Sequence, residues 1–461
     1  MLKEIMEGVK KIHFVGIGGV GMSSLAQYLH SKGYEITGSD LEKNSYVERL
    51  ERLGIKIFLG HSVQNVDETV DLVVSSSAVK RDNIEVVQAE KLNIPAIKRS
   101  QLLAYIVNRS KSIAVAGSHG KTTTTSLCAS LLKNAGLDPT AIIGGKFRNI
   151  NNNVMVGEGE YFIVEADESD GGFLLLSPYI GIVTNIDNDH LGFYGNFENE
   201  KLAFYDFMSN SQYRIINTDD LIVRQWHELK NKRNTTLTYS VKSKKTDIYA
   251  YNIQLTQEVS VFSVKTPSRR IEGLKLGVLG MHNVSNALAV LGVAELLNID
   301  EDVIRKTFEE FRGVDRRFTY IGEYRNLKVF DDYAHHPNEI RATLSTAKIL
   351  NKNVYAVFQP HRFSRTAYLM DDFARCFKDV KRVYILDIYP ASEPPIDGID
   401  SGVLSEKINA VSGNAVYINN VELLKKHLDQ IDQDGVLVAL GAGSVSNIIR
   451  QIVNDYKNSA A

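Results

Sequence analysis

Cysteine is scarce, neither charge dominates, and no long apolar run is present. The two cysteines, Cys128 and Cys376, stand far apart without metal-ligand spacing. So few thiols in a chain this long suit a reducing compartment. Lys and Arg number 53 against 55 Asp and Glu, a formal net charge of -2. That balance leaves no electrostatic footprint for nucleic acid or an anionic membrane surface. No stretch reaches the roughly 18 apolar residues of a membrane span. The opening MLKEIMEGVKKIHFVG spreads charges where a secretory signal would have an apolar block. A cytoplasmic protein is expected, with no nucleic-acid partner and no membrane insertion. Internal repeats and low-complexity linkers are also missing.

One further absence is local. "SIAVAGSHGKTTTTSLCASLL" (112–132) has the Gly-Lys-Thr of a phosphate-binding loop but not the usual first glycine, since Val115 stands five residues before Gly120. Gly117, Gly120, Lys121 and Thr122 still make a cradle. Backbone N–H groups can face a β-phosphate, Lys121 can reach the β/γ oxygens, and Thr122 can hold Mg²⁺. Four consecutive threonines are poor helix formers because β-branching restricts χ1. Hydroxyls facing a phosphate would account for them.

What is present is an alternation of short apolar runs with stretches of helical period. It predicts parallel sheets with crossover helices. The 461 residues allow roughly three domains of about 150, placed at 1–108, 109–311 and 312–461. The first opens with strand KIHFV, a glycine loop, helix VGMSSLAQYLHSKG and strand YEITGSD. The second opens with SIAVAG and the helix from Lys121. Strands YFIVEAD, YIGIVTNI and YRIIN follow, then a polar stretch (231–270) read as a few exposed strands, then helix MHNVSNALAVLGVAELLNI. The third runs through LKVFDD, NVYAVFQ, RVYILDI, AVYI and GVLVALG.

"FVGIGGVGMSSLA" sets Gly16, Gly18 and Gly21 in the dinucleotide spacing between strand and helix, with Asp40 ending the next strand. Such glycines let the backbone approach a pyrophosphate at a helix N-terminus. The fingerprint does not say whose diphosphate: NAD is the default, any nucleotide diphosphate fits, and a glycine-rich packing turn is the plain alternative. Metal ligands belong at neighbouring strand ends. Glu165 and Asp167 follow one apolar run. Asn185, Asp187, Asp189 and His190 follow another. Glu165 suits Mg²⁺, unless it and Asp167 only begin a polar loop, and His190 suits a second metal, unless it is a packed or surface histidine. His282 and Asn283, opening a long helix, offer partners for adenine, or Asn283 is that helix's N-cap.

Taken together, these stretches resemble the Mur ligases, ATP-dependent amide-bond-forming enzymes of peptidoglycan synthesis. "GSHGKTT" matches the family's G-x-x-G-K-T-[TS] loop, which makes the loop complete as it stands. "VEADESDGGFL", "TNIDNDHL", "GMHNVSNALA", "GVDRRF", "DDYAHHPNEI", "QPHRFSRT" and "YPASEPP" follow in family order. The resemblance covers essentially the whole chain and is strongest to members that add L-alanine to UDP-N-acetylmuramate. It implies an α/β fold of three domains: a Rossmann-like N-terminal domain for the UDP-sugar, a central P-loop ATPase-type domain, and a Rossmann-like C-terminal domain for the amino acid. The first loop (Gly16, Gly18, Gly19, Gly21, with Asp40) is then assigned to the UDP-sugar. ATP is assigned to Gly117, Ser118, His119, Gly120, Lys121, Thr122 and Thr123, with His282, Asn283 and Asn286 near adenine and Arg316 with Asp331 at the nucleotide. Mg²⁺ falls to Thr122, Glu165 and His190. Some members use a carbamylated lysine near the second metal; Lys201 lies in that region and is not given the role.

The implied chemistry phosphorylates the lactyl carboxylate, and the amine of alanine then attacks the acyl phosphate. Lys121, Glu165 and His190 serve the first step. The intermediate hydrolyses readily, so domain closure against water is a requirement. In the third domain Arg362 and Arg365 suit the alanine carboxylate, although two loop arginines are commonly plain surface charge. Tyr333 and His335 are expected at the amino acid with them, and His335 and His361 can orient the amine or take its proton, or simply cap strand ends. "GAGSV" is read as a tight strand-to-helix turn. A monomer or weak homodimer is expected. The rivals are a tripeptide-adding relative, which "QPHRFSRT" disfavours, folylpolyglutamate synthase, which lacks the first domain, an NAD-dependent oxidoreductase fused to an ATPase, and a nucleotide sensor.

Overall fold

The apolar runs become three separate sheets whose strands are mostly parallel. The computed structural model describes residues 2–229 and 235–460. The first sheet has strands β1 (Lys11–Val15), β2 (Glu35–Asp40), β3 (Lys56–Leu59), β4 (Leu72–Ser75) and β5 (Ala96–Lys98), in the order β3-β2-β1-β4-β5. Its pairings are all parallel. The chain runs from β1 to β2 on one side and returns to β4 on the other. The carboxyl end of β1 is therefore a switch point, where open α/β sheets bind ligands. The first glycine loop lies there.

The second sheet takes β6 (Lys111–Ala116), β7 (Thr140–Phe147), β8 (Asn152–Met155), β9 (Tyr161–Glu165), β10 (Ile180–Val183), β11 (Tyr213–Asn217), β12 (Thr236–Ser240), β13 (Ile248–Leu255), β14 (Ser260–Lys265) and β15 (Arg270–Leu276). Among the described residues its order is β15-β14-β13-β12-β11-β10-β6-β9-β7-β8. β6 lies between β9 and β10 in parallel register, so the loops leaving all three gather at one end. The third sheet orders β16 (Thr319–Tyr324), β17 (Leu327–Asp332), β18 (Val354–Phe358), β19 (Arg382–Ile385), β20 (Ala415–Tyr417) and β21 (Gly435–Leu440) as β16-β17-β21-β18-β19-β20.

Three expectations need correction. β8 pairs antiparallel with β7, and β16 with β17, because a short turn joins each pair and a crossover helix has no room. The stretch expected as exposed strands begins at residues 231–234, outside the described residues. Its described strands bury one face, with Tyr239, Ile248, Phe262 and Val264 fully enclosed. Asn283 is not an N-cap: it sits inside the helix Met281–Leu296 and its Nδ2 donates back to Leu279 O at 2.7 Å. "GAGSV" does form a tight turn. Gln359 Oε1 accepts from Val445 N at 3.0 Å, and a Cβ on Gly443 would strike Gln359 and Tyr389.

The chain forms two compact units, 1–251 with 263–274 and 285–312, and 252–262 with 275–284 and 313–461. Within the first unit, the first and second sheets are joined. Asn153 is buried and its Nδ2 donates to Ser24 Oγ at 2.7 Å and Val20 O at 3.1 Å. Tyr28 packs edge-on against Phe162 at 5.3 Å. Polar groups also brace the first sheet from within. Glu85 is wholly buried and accepts from Ser39 Oγ (2.5 Å), Asn65 Nδ2 (2.5 Å) and Ser62 N (3.2 Å), with His13 Nε2 at 3.5 Å. Ser39 O in turn accepts from Gly16 N and Ile17 N at 2.9 and 3.0 Å.

Burial alone would raise the Glu85 pKa. Hydrogen bonds from His13, Ser39 and Asn65 outweigh it and bring the group from 4.5 to about 2. The folded value lies below the unfolded one, so the stabilisation is complete above about pH 4.5 and lost as pH falls toward 2. Its full size is about 3 kcal/mol. In urea titrations, Glu85→Gln should therefore lose stability against wild type at pH 7, and the gap should narrow steadily below pH 4.5. A gap independent of pH would contradict this.

Candidate active site

The helix Lys121–Asn134 starts where the loop after β6 ends, so its N-terminal N–H groups face the loop. Gly117 has φ +131°, and a Cβ there would lie 2.1 Å from Thr184 Oγ1. Only glycine fits. The segment after β10 holds the loop from behind. Asn185 accepts from Ser118 N (3.1 Å) and, through Oδ1, from His119 N (2.9 Å), and its Nδ2 donates to His119 O at 2.9 Å. Asp187 lies 3.0 Å from His119 Nε2. Through these bonds Asn185 and Asp187 shape the loop. Asn286 packs over Gly120, with Oδ1 2.6 Å from where a Cβ would sit.

Lys121 Nζ donates to Gly117 O at 2.7 Å and to both oxygens of Glu168 at 2.6 and 2.8 Å. Burial opposes the ammonium, but the charges of Glu168 and Asp167 prevail and raise its pKa. Lys121 is thus a fixed cation. Thr122 Oγ1 donates to Glu165 Oε2 at 3.1 Å, and Gly144 N donates to Glu165 Oε1 at 2.5 Å. His190 Nε2 lies 3.4 Å from Glu168. Burial works against its proton, yet the hydrogen bond to Glu168 and the charge of Asp189 raise its pKa overall. Beneath it Glu200 is fully buried, and burial pushes its carboxyl up to about 7. Lys201 turns to Glu198 and the Phe197 ring.

The four-threonine reading holds only in part. Thr122 and Thr123 begin the helix at the loop, while Thr124 and Thr125 are fully enclosed and their hydroxyls have no partner among the described residues. A helix turns about 100° per residue, so four in a row cannot face one ligand. Glu168 and Glu200 escaped sequence reasoning. Glu168 follows two other strand-end acids, and Glu200 stands in a charged helix whose pattern looks solvent-facing.

At the first loop, Gly18 N donates to Asp40 Oδ2 at 2.8 Å, and Asn44 Nδ2 donates to Gly18 O at 3.1 Å. A Cβ on Gly18 would strike Asn44, Asp40 and Val47, each at 2.9 Å. Gly16 opens the loop at φ +79°, and Gly19 precedes the helix Val20–Ser31. Gly21 lies against Arg99, which also approaches Asp167 and Asp170 at 3.5 and 3.8 Å. Arg99 thus links the first loop to the end of β9.

The second unit gathers the remaining residues. His335 Nδ1 lies 2.9 Å from Tyr333 O, its ring is 5.9 Å from that of His361, and Arg365 Nη1 is 3.3 Å from His361 Nδ1. Arg362 is half exposed and 3.9 Å from Glu393. Arg316 stacks over Tyr333 at 4.8 Å and donates to Gly441 O at 2.5 Å. Asp331 is fully buried, held by Arg450 Nη2 (2.8 Å) and Ser446 Oγ (2.6 Å), with Arg316 Nε 3.8 Å away. Burial and the Arg317 charge push His282 down to about 4, leaving a neutral imidazole at physiological pH.

A lysine in a glycine loop, a carboxylate at the next strand end and a histidine one strand further make a centre suited to phosphoryl transfer. Family models agree along the chain: the Mur ligase family catalytic domain matches residues 11–111, the Mur ligase middle domain 115–294, and the Mur ligase glutamate ligase domain 316–443. The chain belongs to the Mur ligase family. It is 41% identical to the UDP-N-acetylmuramate–L-alanine ligase of Aquifex aeolicus over 456 residues, 98% of this chain and 99% of that protein. Among solved structures, the UDP-N-acetylmuramate–alanine ligase of Thermotoga maritima superposes with a TM-score of 0.82 at 32% identity, covering 97% of this chain and 99% of that one. A murein peptide ligase from Psychrobacter arcticus gives 0.68 at 25% identity, covering 98% and 99%.

Lys121→Ala should keep the fold and lower turnover by at least about 10²–10³-fold, the usual loss for one preorganised electrostatic group. Steady-state phosphate release, with circular dichroism to verify folding, checks this. A variant that keeps most of its activity would remove Lys121 from the chemistry.

Proposed function

We propose that the chain is an ATP-dependent ligase that joins L-alanine to the lactyl carboxylate of UDP-N-acetylmuramate, releasing ADP and phosphate, in peptidoglycan precursor synthesis. The observation that carries this reading is the 41% identity to an alanine ligase along 98% of the chain. Residues 1–108 bind the UDP-sugar at Gly16, Gly18, Gly19 and Gly21, with Asp40 bracing the loop. Residues 109–311 bind ATP. Residues 312–461 hold L-alanine. Two buried free thiols fit a cytoplasmic enzyme.

In the first step a lactyl carboxylate oxygen attacks the γ-phosphorus and the bond to ADP breaks, leaving an acyl phosphate. Lys121 neutralises charge that moves onto the phosphoryl oxygens, and the loop N–H groups hold the phosphates without reorganising. In the second step the amine of alanine attacks the acyl carbon and phosphate leaves. Arg362 and Arg365 hold the alanine carboxylate. His335 and His361 orient the amine or take its proton. Hard oxygen donors at a phosphate loop fit magnesium: Thr122 and Glu165, 3.1 Å apart, would hold one ion, and His190 suits a second. When bound, the ion supplies charge neutralisation at the phosphates. His282, Asn283 and Asn286 serve the adenine, and Arg316 with Asp331 the nucleotide.

A phosphate-release assay that omits one substrate at a time tests the reading. Release should require ATP, UDP-N-acetylmuramate and L-alanine together. Release with a tripeptide but not with alanine would move the chain to the murein peptide ligases, and equal release from ATP alone would leave a nucleotide hydrolase.

A further inference from the structure

The stretch "YPASEPP" has no part in the chemistry so far, yet its backbone is strained and it touches the proposed amino-acid site. Arg362 has φ +73° and ψ +137°, a combination that side-chain-bearing residues rarely adopt. Ala391 and Ser392 also have positive φ, +47° and +68°. Three such non-glycine residues on two adjoining loops persist only where surrounding bonds over-determine them.

Those bonds are present. The loop after β18 and the loop after β19 exchange two backbone hydrogen bonds, Tyr389 N to Pro360 O and Arg362 N to Tyr389 O, each 2.8 Å. The Tyr389 ring stacks on His361 at 5.5 Å and 12°. Beyond Arg362, the Glu393 carboxylate accepts from Ser364 N at 3.0 Å and Ser364 Oγ at 2.8 Å. Arg362 is therefore pinned on both sides, by Tyr389 before it and by Glu393 after it. The Arg362–Glu393 ion pair itself is loose, 3.9 Å with both side chains partly exposed. Water screens such a pair, so the guanidinium remains available to a small carboxylate.

We propose that Glu393 is a positioning residue for amino-acid recognition: by capping Ser364 it holds Arg362 in its strained backbone conformation and so aims the guanidinium pair of Arg362 and Arg365. This rests on the reading that these arginines hold the alanine carboxylate. Free of Glu393, the turn relaxes to negative φ, and the Arg362 side chain leaves along a different direction. The bond geometry needs an acceptor at Ser364 more than it needs a charge. A glutamine retains one acceptor oxygen; an alanine retains none.

Steady-state kinetics of the full chain tests this with Glu393→Ala, Glu393→Gln and the double variant Glu393→Ala/Arg362→Ala. Glu393→Ala should raise KM for L-alanine at least about ten-fold, the loss of one charge-assisted contact. The KM values for ATP and UDP-N-acetylmuramate and the thermal midpoint should stay near wild type. Glu393→Gln should recover most of the effect. Because Glu393 acts through Arg362, the double variant should be no worse than Arg362→Ala alone. Equal damage from Gln and Ala would make Glu393 a direct partner of the substrate ammonium and overturn the proposal. An unchanged KM for alanine, additive losses in the double variant, or a matched fall in all constants with a lowered midpoint would overturn it too. If wild type does not use alanine at all, the ligase reading fails first, and that result is distinct from every variant outcome.

Discussion

One ammonium in a buried acidic corner organises the loop end of the second sheet. Lys121 leaves a short glycine loop, touches the loop's own first carbonyl at Gly117, and closes on both oxygens of Glu168. An ion pair this enclosed is costly to make, and its energy is recovered only with close geometry and full hydrogen bonding. The loop supplies that geometry because Gly117 occupies a backbone region closed to other residues, while Thr184 and Asn185 grip its outer side. Glu168 thus meets the ammonium as an anion would, and phosphate oxygens are the anions proposed to take that place.

Sheet topology then decides what else reaches this corner. β6 lies between β9 and β10, so Glu165 and Glu168 arrive from one neighbouring strand end and His190 from the other, and both stretches meet around one lysine. The first sheet repeats the device with different chemistry. There β1 ends at a switch point, and a carboxylate again guards the loop, Asp40 on Gly18 N–H. Beneath it the buried Glu85 cluster fixes Ser39, whose carbonyl tethers the loop's first two N–H groups. Arg99 joins the two devices by lying against Gly21 while approaching Asp167.

Much of this was legible in the sequence, for a physical reason. Glycines at fixed spacing after a short apolar run, and Gly-Lys-Thr before a helix, report backbone requirements that side chains elsewhere cannot supply. At Gly18 and Gly117 a Cβ would meet neighbouring atoms at 2.9 and 2.1 Å, which is such a backbone requirement. Carboxylate choice was less legible. Four acids stand within Glu165–Asp170, and the chain's path after β9, not its composition, turns Glu168 to Lys121. The threonine run misled because helical rotation encloses Thr124 and Thr125 completely and turns their hydroxyls away from the loop's helix start. The N-cap alternative at Asn283 fails because the helix begins two residues before it. The bracing of Arg362 by Glu393 joins positions some thirty residues apart through one carboxylate, and local pattern carries no sign of such a bond.

If Glu168 holds the place later taken by phosphate, it competes with ATP for the Lys121 ammonium. Calorimetry of ATP binding to Glu168→Gln and wild type, with divalent ions chelated so that only the protein's own charges act, measures that competition directly. The variant should bind ATP at least as tightly as wild type, because the ammonium no longer leaves a carboxylate to meet the phosphates. Binding ten-fold weaker in a folded variant would contradict the exchange and leave Glu168 as a support of the nucleotide site.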